Sequence, residues 1–417
     1  MNSRLEKPLT NEAPQVPARE SFATSRVVAI DIFRGLTMAV MIFVNALSDV
    51  HGLPWWTYHA HANVDVMTYV DMVFPFFLFA VGLSLPLSVT QRLKRNSSLS
   101  ALLIHVAVRV LGLIVLGEIL ANAEKADPAR MGMSGSTWAL LALICAALYL
   151  NVYGNSQRAQ TYSRVLRILG LAGIFVLLAL FRRTIAGGHT AWLDFSYPEI
   201  LGLIGYSYWA VAVLYIPTRR WVWAPPIWFI LLVSLCAFST AKILTFPDQV
   251  PLYLWPFGNG AMCCIIMAGV VTSSMFLKSG DHVASGRAIP VAVGFALVTL
   301  IAGRALVPLG ISKIRATPTW SLYSIGASVL LFTLLYWICD LKKWQRWSEI
   351  VRPAGSNTLL TYLLPDLWYF LLSAIGFTYL DTHFDAGWPG VVKTALFTFL
   401  MLAVAGTLTK AKIRLQF

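Results

Sequence analysis

The chain has 417 residues, of which 58% are hydrophobic and only 12% are charged. Soluble globular chains carry about a quarter charged residues, so this composition excludes a set of soluble domains and favours one multi-span membrane domain. A formal net charge of +13 suggests nucleic acid only where basic residues cluster on a soluble face. Here they are spread over many short connectors, and no nucleic-acid partner is expected.

Twelve apolar stretches approach the roughly 20 residues that cross a bilayer as a helix. The fourth and fifth are short, so the sequence predicts an all-α polytopic membrane protein, a bundle of about 10–12 transmembrane helices. Residues 1–26 are polar and lack the apolar core of a signal peptide, which predicts a disordered tail before a single transmembrane domain at 27–417. The stretches run approximately over 29–48, 68–90, 100–122, 136–153, 164–181, 196–216, 223–244, 256–277, 288–308, 320–339, 356–375 and 389–408.

The distribution of basic residues predicts the orientation. In a twelve-span arrangement, 21 of the 32 Lys and Arg fall on the side of the termini and nine on the other side, with Arg34 and Arg109 inside spans. The positive-inside rule then makes both termini cytoplasmic. The loop at 49–66 has no Lys or Arg and is predicted to face outward. All five cysteines fall inside spans without a CxxC pair, which indicates neither a disulfide framework nor a thiolate metal site.

Ionisable residues inside the first and third spans are candidates for function, because a charge in a membrane helix is costly. Asp31 and Arg34 lie three residues apart and share one helix face. They form either a self-neutralising structural pair or a place where Arg34 binds a cytoplasmic anionic group such as a phosphate. His105 and Arg109 lie four apart on one face near the cytoplasmic side, where packing or snorkelling is the alternative to ligand binding.

The loop before the second span concentrates polar chemistry. His59 and His61 follow an aromatic cluster at 55–58, with Asp65 and Asp71 just beyond. The histidines can be solvated loop residues beside an interfacial aromatic belt. Alternatively, one is a general base whose ring a carboxylate orients. The donor types also allow a metal ion, but no HxxxH or HExxH spacing supports one, and no metal is expected.

Two asparagines complete the candidates. Asn45 closes the first predicted span and Asn357 begins the eleventh. An asparagine inside a span is most often a hydrogen-bonding contact between helices. A role at a site needs a further argument.

That argument comes from a family resemblance carried by motifs that keep their order. The sequence resembles the heparan-α-glucosaminide N-acetyltransferase family, in its bacterial DUF5009 branch, which is associated with N-acetylglucosamine use. The motifs cover roughly 27–120 and 288–417, whereas 123–245 carries none. They are "DIFRG" at 31–35, "MIFVN" at 41–45, a histidine in an outward loop, "VDMVFPFFLFAVGLSL" at 70–85, "PTWSLYS" at 318–324, "GSNTLLTY" at 355–362 and the basic end "KAKIRLQF".

The resemblance implies a transmembrane acetyltransferase. It implies that acetyl-CoA on the cytoplasmic side is the donor co-substrate, and that an amino sugar or glycan of glucosamine type on the extracytoplasmic side is the acceptor. The chain then lies in the lipid bilayer of a bacterial inner membrane. A homodimer stays open at this stage.

The resemblance also implies roles for residues. The family's active-site histidine stands ten residues before the aspartate of its last opening motif, which selects His61 over His59 as the base or transient acetyl carrier. The loop is about five residues longer here, so His59 stays the alternative. Asn45 would donate to the oxyanion or orient the acceptor, and Asp71 would support the site. The predicted cofactor-binding residues are Arg34, Asp31, His105, Arg109 and Asn357.

A function of another class also fits the hydropathy. An amino-sugar or N-acetylglucosamine transporter could use His59, His61 and Asp65 as an entry site. A transporter moves unmodified sugar, whereas an acetyltransferase releases CoA and leaves an acetylated product. A purely structural scaffold leaves the ionisable residues inside spans without a purpose.

Overall fold

The computed structural model describes residues 27–95, 98–154, 156–247, 251, 255, 257–276 and 288–416. The predicted disordered tail at 1–26 lies outside the described residues. Within them the chain is a bundle of α-helices with one two-stranded hairpin, which confirms the predicted all-α polytopic fold. The helices are α1 (Val28–Leu47), α2 (Val70–Arg95), α3 (Leu99–Asn122), α4 (Pro128–Met131), α5 (Gly135–Leu150), α6 (Gln157–Leu180), α7 (Glu199–Thr218), α8 (Ala224–Thr240), α9 (Ala261–Phe276), α10 (Ala288–Ala305), α11 (Pro318–Leu335), α12 (Arg352–Ser356), α13 (Thr358–Ala374), α14 (Tyr379–His383) and α15 (Gly387–Lys410).

Shorter elements join the helices. The hairpin pairs β1 (Arg183–Thr184) with β2 (Thr190–Ala191) in antiparallel register. One π-helical segment, Tyr336–Leu341, continues α11. The 3-10 segments are Trp55–Thr57, Ala123–Lys125, Val307–Leu309 and Arg346–Glu349.

Each of the twelve apolar stretches coincides with one helix of the bundle. Among the described residues, eight helices are long and apolar enough to cross a membrane, and four apolar helices are shorter, with 10–17 residues. The predicted range of ten to twelve is reached only when the four shorter helices are counted with the eight. Local sequence sets several helix starts: Ser98 and Ser134 accept backbone N–H bonds as N-caps of α3 and α5. A proline opens α11, where a missing N–H costs nothing.

Glycine allows α1 to pack directly against α12. A Cβ built on Gly35 would lie 2.1 Å from the carbonyl oxygen of Val351, and one built on Gly355 would lie 1.9 Å from that of Asp31. No side chain fits in either place, so the two backbones touch. The contact joins the first resembling motif to the "GSN" motif more than 300 residues later, which explains why both carry glycine.

The cysteines behave as small apolar residues. All five are free, and Cys236, Cys263, Cys264 and Cys339 are buried. The described residues contain no group of three or more His, Cys, Asp or Glu that could hold a metal ion.

Candidate active site

A cavity of about 420 Å³ lies between α1, α2, α3, α7 and α13 and is rich in basic side chains. Its lining includes Arg34, Arg92, His105, Arg109 and Asn357. None of the described residues that line it is acidic. Such a surface suits a ligand that carries several negative charges.

Neighbouring groups hold the arginines in place. Arg34 donates from Nη2 to the Oγ1 of Thr358 over 2.7 Å. The guanidinium of Arg109 lies 5.2 Å from the centre of the Tyr208 ring, which is cation–π range. His105 and Arg109 line the cavity from one face of α3, as their four-residue spacing predicts.

The C-terminal segment closes part of the cavity wall. The side-chain amide of Asn357 donates to the carbonyl oxygen of Ile413 over 2.9 Å and to the Oγ1 of Thr409 over 3.0 Å. Its oxygen accepts from the backbone N–H of Leu415 at 3.3 Å. Leu415 in turn lines the cavity. Asn357 therefore holds the wall, and its hydrogen-bonding groups are already engaged.

A histidine–aspartate pair lies in the loop before α2 and at the start of that helix. The Nδ1 of His59 is 2.7 Å from the Oδ1 of Asp71. The Asp71 side chain is 1% exposed and that of His59 is 42% exposed. The other carboxylate oxygen of Asp71 accepts from the N–H groups of Thr68 at 3.0 Å and Ala60 at 3.3 Å. A carboxylate that only accepts requires the proton on Nδ1, so in the neutral ring Nε2 carries the lone pair that can accept a proton.

A proline and a tryptophan fix the backbone at Asp71. Pro75 stands four residues after Asp71 and has no N–H, so the carbonyl of Asp71 lacks its helical partner. The indole of Trp320, which is fully buried, donates to that carbonyl over 3.0 Å. Two segments that carry the resemblance, at 70–85 and 318–324, thus meet at the aspartate.

The loop between α10 and α11 contacts the histidine. The carboxylate of Asp65 accepts from the guanidinium of Arg315 and from the backbone N–H of Ile311 at 3.1 Å. This clamp brings the Nζ of Lys313 to 3.2 Å from the Nε2 of His59 and 3.4 Å from its Nδ1. Burial lowers the pKa of the Lys313 ammonium below its ordinary value, and the carboxylates of Asp71 and Glu199 oppose that shift.

Polar side chains and helix α2 relate the basic cavity to the histidine. Tyr362 lines the cavity, and its hydroxyl donates to the Oε2 of Glu199 at 3.4 Å. The Glu199 carboxylate acts on the charge of Lys313, which contacts His59. Along α2, Phe77 in the cavity wall is six residues from Asp71, or about 9 Å at 1.5 Å per residue. Arg92, at the far end of the same wall, is about 32 Å from Asp71 on that scale.

Comparison with known proteins identifies the family. A family model described as a domain of unknown function (DUF5009) matches residues 26–255, which is more than half of the chain. The protein belongs to the DUF5009 family. The match includes the segment 123–245, for which the motifs gave no guide.

Two curated relatives of the DUF5009 chain share one name. The chain is 36% identical to the human heparan-alpha-glucosaminide N-acetyltransferase over 115 residues, which is 28% of this chain and 17% of the human protein. It is 34% identical to the mouse protein of that name over 125 residues, or 29% of this chain and 18% of the mouse protein. The alignments thus span less than a fifth of each relative.

The structure distributes the predicted residues of this DUF5009 member unevenly. Arg34, His105, Arg109 and Asn357 line one cavity, whereas Asp31 is buried within α1 and is not among the lining residues. The backbone of Asp31 takes part in the close contact between α1 and α12, because Gly355 packs against it. The cofactor roles stay predictions.

The predicted catalytic residues are also divided. Asp71 is paired with His59 and not with His61. The side chain of His61 is exposed, and its ring makes no hydrogen bond or ion pair with the described residues. Asn45 is exposed near the end of α1, and its carbonyl accepts from the hydroxyl of Ser48 over 2.6 Å. The assignments of His61 and Asn45 stay predictions, but the geometry favours His59 as the base.

Sequence reasoning missed two basic residues of the site. Arg92 was only one of the 21 basic residues counted for the orientation, although its place beside Lys94 and Arg95 at the end of α2 is a signal for an anion site. Lys313 is one of the few basic residues on the side predicted to be poor in them. The presence of a lysine on that side was the sequence signal that Lys313 could have a functional role.

Proposed function

We propose that this protein is a transmembrane acetyltransferase that moves the acetyl group of cytoplasmic acetyl-CoA to the amine of a glucosamine-type sugar on the extracytoplasmic side. One observation carries the proposal. A single helix, α2, contributes both the Asp71 of the His59–Asp71 pair and the wall of the basic cavity from Phe77 to Arg92. The name shared by the human and mouse relatives supports the same chemistry.

The cavity would take the donor. Arg34, Arg92 and Arg109 offer guanidinium groups, which pair with phosphate through two parallel hydrogen bonds. Coenzyme A carries its phosphates at one end and its thioester at the tip of a long flexible arm. The phosphates would lie at the basic end of α2, and the thioester would extend past Tyr362 toward Asp71. Asn357 would maintain the cavity wall, and Asp31 the α1–α12 contact.

The histidine end would take the acceptor. The amine attacks the carbonyl carbon of the thioester while the Nε2 of His59 accepts a proton from it. Asp71 keeps the ring in the required tautomer and stabilises the imidazolium. The carbon–sulfur bond then breaks, and the CoA thiolate takes the proton that the His59 imidazolium gives up. Asn45 would donate to the oxyanion that forms in between. An acetylated histidine is the two-step alternative to direct transfer.

The location follows from the charge distribution. With the basic cavity at the end of α2 that bears Arg92, Lys94 and Arg95, the positive-inside rule supports a cytoplasmic donor site. The histidine loop then faces the extracytoplasmic side of the bacterial inner membrane. An acetyl group would cross the membrane without its carrier.

The decisive experiment uses the purified full chain in detergent or nanodiscs. Acetyl-CoA and glucosamine are supplied together, and free CoA and N-acetylglucosamine are quantified. We expect both products in equal amounts, and expect them to fall strongly when Arg34 and Arg109 are both replaced by Gln. The double replacement of Lys342 and Lys343 by Gln, in an exposed loop, removes equal charge elsewhere and serves as the control.

Two results would contradict the proposal. Uptake of unmodified amino sugar into proteoliposomes, with no CoA released, would favour the transporter. If the Arg34/Arg109 and Lys342/Lys343 double variants lose activity equally, a general effect of charge explains both losses. The cavity would then not be the donor site.

A further inference from the structure

Lys313 places an amine where an acceptor must present its own. A general base works within about 2.6–3.2 Å of the atom whose proton it takes. The Nζ of Lys313 lies 3.2 Å from the Nε2 of His59, the ring nitrogen that Asp71 leaves free. A sugar amine that uses this base must occupy the same position.

The lysine is held there by more than one contact. The Asp65–Arg315 pair and the Asp65–Ile311 hydrogen bond fix the loop on both sides of Lys313. The hydroxyl of Thr317 accepts from the backbone N–H of Ser312 over 3.0 Å and closes the loop from within. The side chain is half-buried, and the charges of Asp71 and Glu199 favour its ammonium form. These contacts fix the backbone of the loop, and only the Lys313 side chain has to move when an acceptor takes its place.

Glu199 also relates the lysine to the basic cavity. Glu199, which acts on Lys313, is bonded to Tyr362 in the wall of the basic cavity. Under the proposed function, a thioester that extends past Tyr362 toward Asp71 would approach Lys313.

We propose that Lys313 is the resident amine of the acceptor site and that the protein acetylates this side chain when an acyl thioester is bound and no acceptor is present. The inference rests on the proposed function and adds a modification site to it. An acceptor sugar would displace the lysine from His59, so acetylation of Lys313 would compete with normal turnover.

The step balances without a further reactant. The Lys313 ammonium gives one proton to the Nε2 of His59, and the neutral Nζ attacks the thioester carbonyl carbon. A nitrogen–carbon bond forms and the carbon–sulfur bond breaks. The second proton from nitrogen goes to the departing thiolate, and His59 later releases its proton to water. Burial supports this chemistry because it favours the neutral, nucleophilic amine.

Mass spectrometry tests the inference. The purified full chain is incubated with acetyl-CoA alone, and the acetylated lysines are mapped by peptide digestion. We expect one acetyl group at Lys313, suppression by added glucosamine, and about a hundredfold slower acetylation in the His59→Gln variant, at the lower end of the loss of a general base. Lys125, whose side chain is 37% exposed, reports the unspecific chemical background in the same digest.

The outcomes separate the two proposals. If glucosamine is acetylated while Lys313 stays unmodified without acceptor, this inference fails and the proposed function stands. If neither amine is acetylated, both fail. Equal labelling of Lys313 and Lys125, unaffected by glucosamine, would mean chemical acetylation only and would overturn the inference. This last comparison uses the wild-type protein and does not depend on how well the His59 variant folds.

Discussion

His59 and His61 lie two residues apart, but replacing each of them by glutamine is expected to affect acetyl transfer in opposite ways. His59→Gln keeps a side-chain amide that can donate to Asp71 but removes the base. His61→Gln makes the same change in an exposed ring without hydrogen bonds to described residues. We expect the first variant to lose acetyl transfer and the second to retain activity close to wild type.

The role of His59 as a general base sets the expected loss of rate. Loss of a general base costs about a hundred- to ten-thousandfold in rate, or about 2.7–5.4 kcal/mol at 1.36 kcal/mol per factor of ten. Stability should change less. Asp71 keeps its bonds from the N–H groups of Thr68 and Ala60, and the glutamine amide replaces the third.

The assay measures kcat with glucosamine, alongside the thermal midpoint and acetyl-CoA affinity of each variant. Loss of kcat with an unchanged midpoint and unchanged donor affinity assigns the base to His59. If His61→Gln is inactive and His59→Gln is active, the base is His61, as the ten-residue spacing to Asp71 predicts. The contact between His59 and Asp71 would then be structural. Activity in both variants would move the base elsewhere.

Three further predictions concern the donor, the packing and the orientation. Arg34→Gln should weaken acetyl-CoA binding by about 1.5–3 kcal/mol, or roughly 10- to 150-fold, without changing the acceptor KM. Calorimetry measures the affinity for acetyl-CoA. An unchanged affinity would mean that Arg34 only binds α13. Gly35→Ala should lower the free energy of unfolding by about 1–3 kcal/mol by overpacking, whereas Gly406→Ala, with nothing within 4 Å, should gain up to about 1 kcal/mol of helix propensity; equal thermal shifts would refute the close α1–α12 contact. In intact cells, an impermeant thiol reagent should label Ala62→Cys and not Arg346→Cys, since both sites are exposed but are predicted on opposite sides; labelling of both would refute the orientation.

The helices were predictable because membrane spans are dictated by apolar length alone. The four-residue spacing of His105 and Arg109 likewise places both side chains on one face of α3 by helix geometry alone. Their common cavity with Arg34 and Asn357 could be expected only from the resemblance, because the cavity joins helices that are distant in sequence. No local pattern reports such a contact.

The choice of histidine could not be predicted in the same way. Between His59 and Asp71 the chain is a loop, so a count of residues carries no direction for a side chain. Its course depends on the 3-10 turn Trp55–Thr57 and on Tyr58, whose hydroxyl donates to the carbonyl oxygen of Val50 over 2.6 Å. Thr68 donates from Oγ1 to the carbonyl of Tyr58 over 2.8 Å. These contacts turn the His59 ring toward Asp71 and leave His61 exposed.

The cluster around Asp71 lies at the start of α2, where free N–H groups and the missing N–H of Pro75 both help to hold the aspartate. A buried carboxylate needs several donors to stay ionised, and the start of α2 supplies unpaired N–H groups, as at Thr68. Pro75 removes the N–H that would have paired with the Asp71 carbonyl, which opens a second attachment for Trp320. The aspartate is thus held through both its side chain and its backbone. A base oriented by such a group keeps its tautomer while substrate and product exchange, which a histidine in a free loop would not.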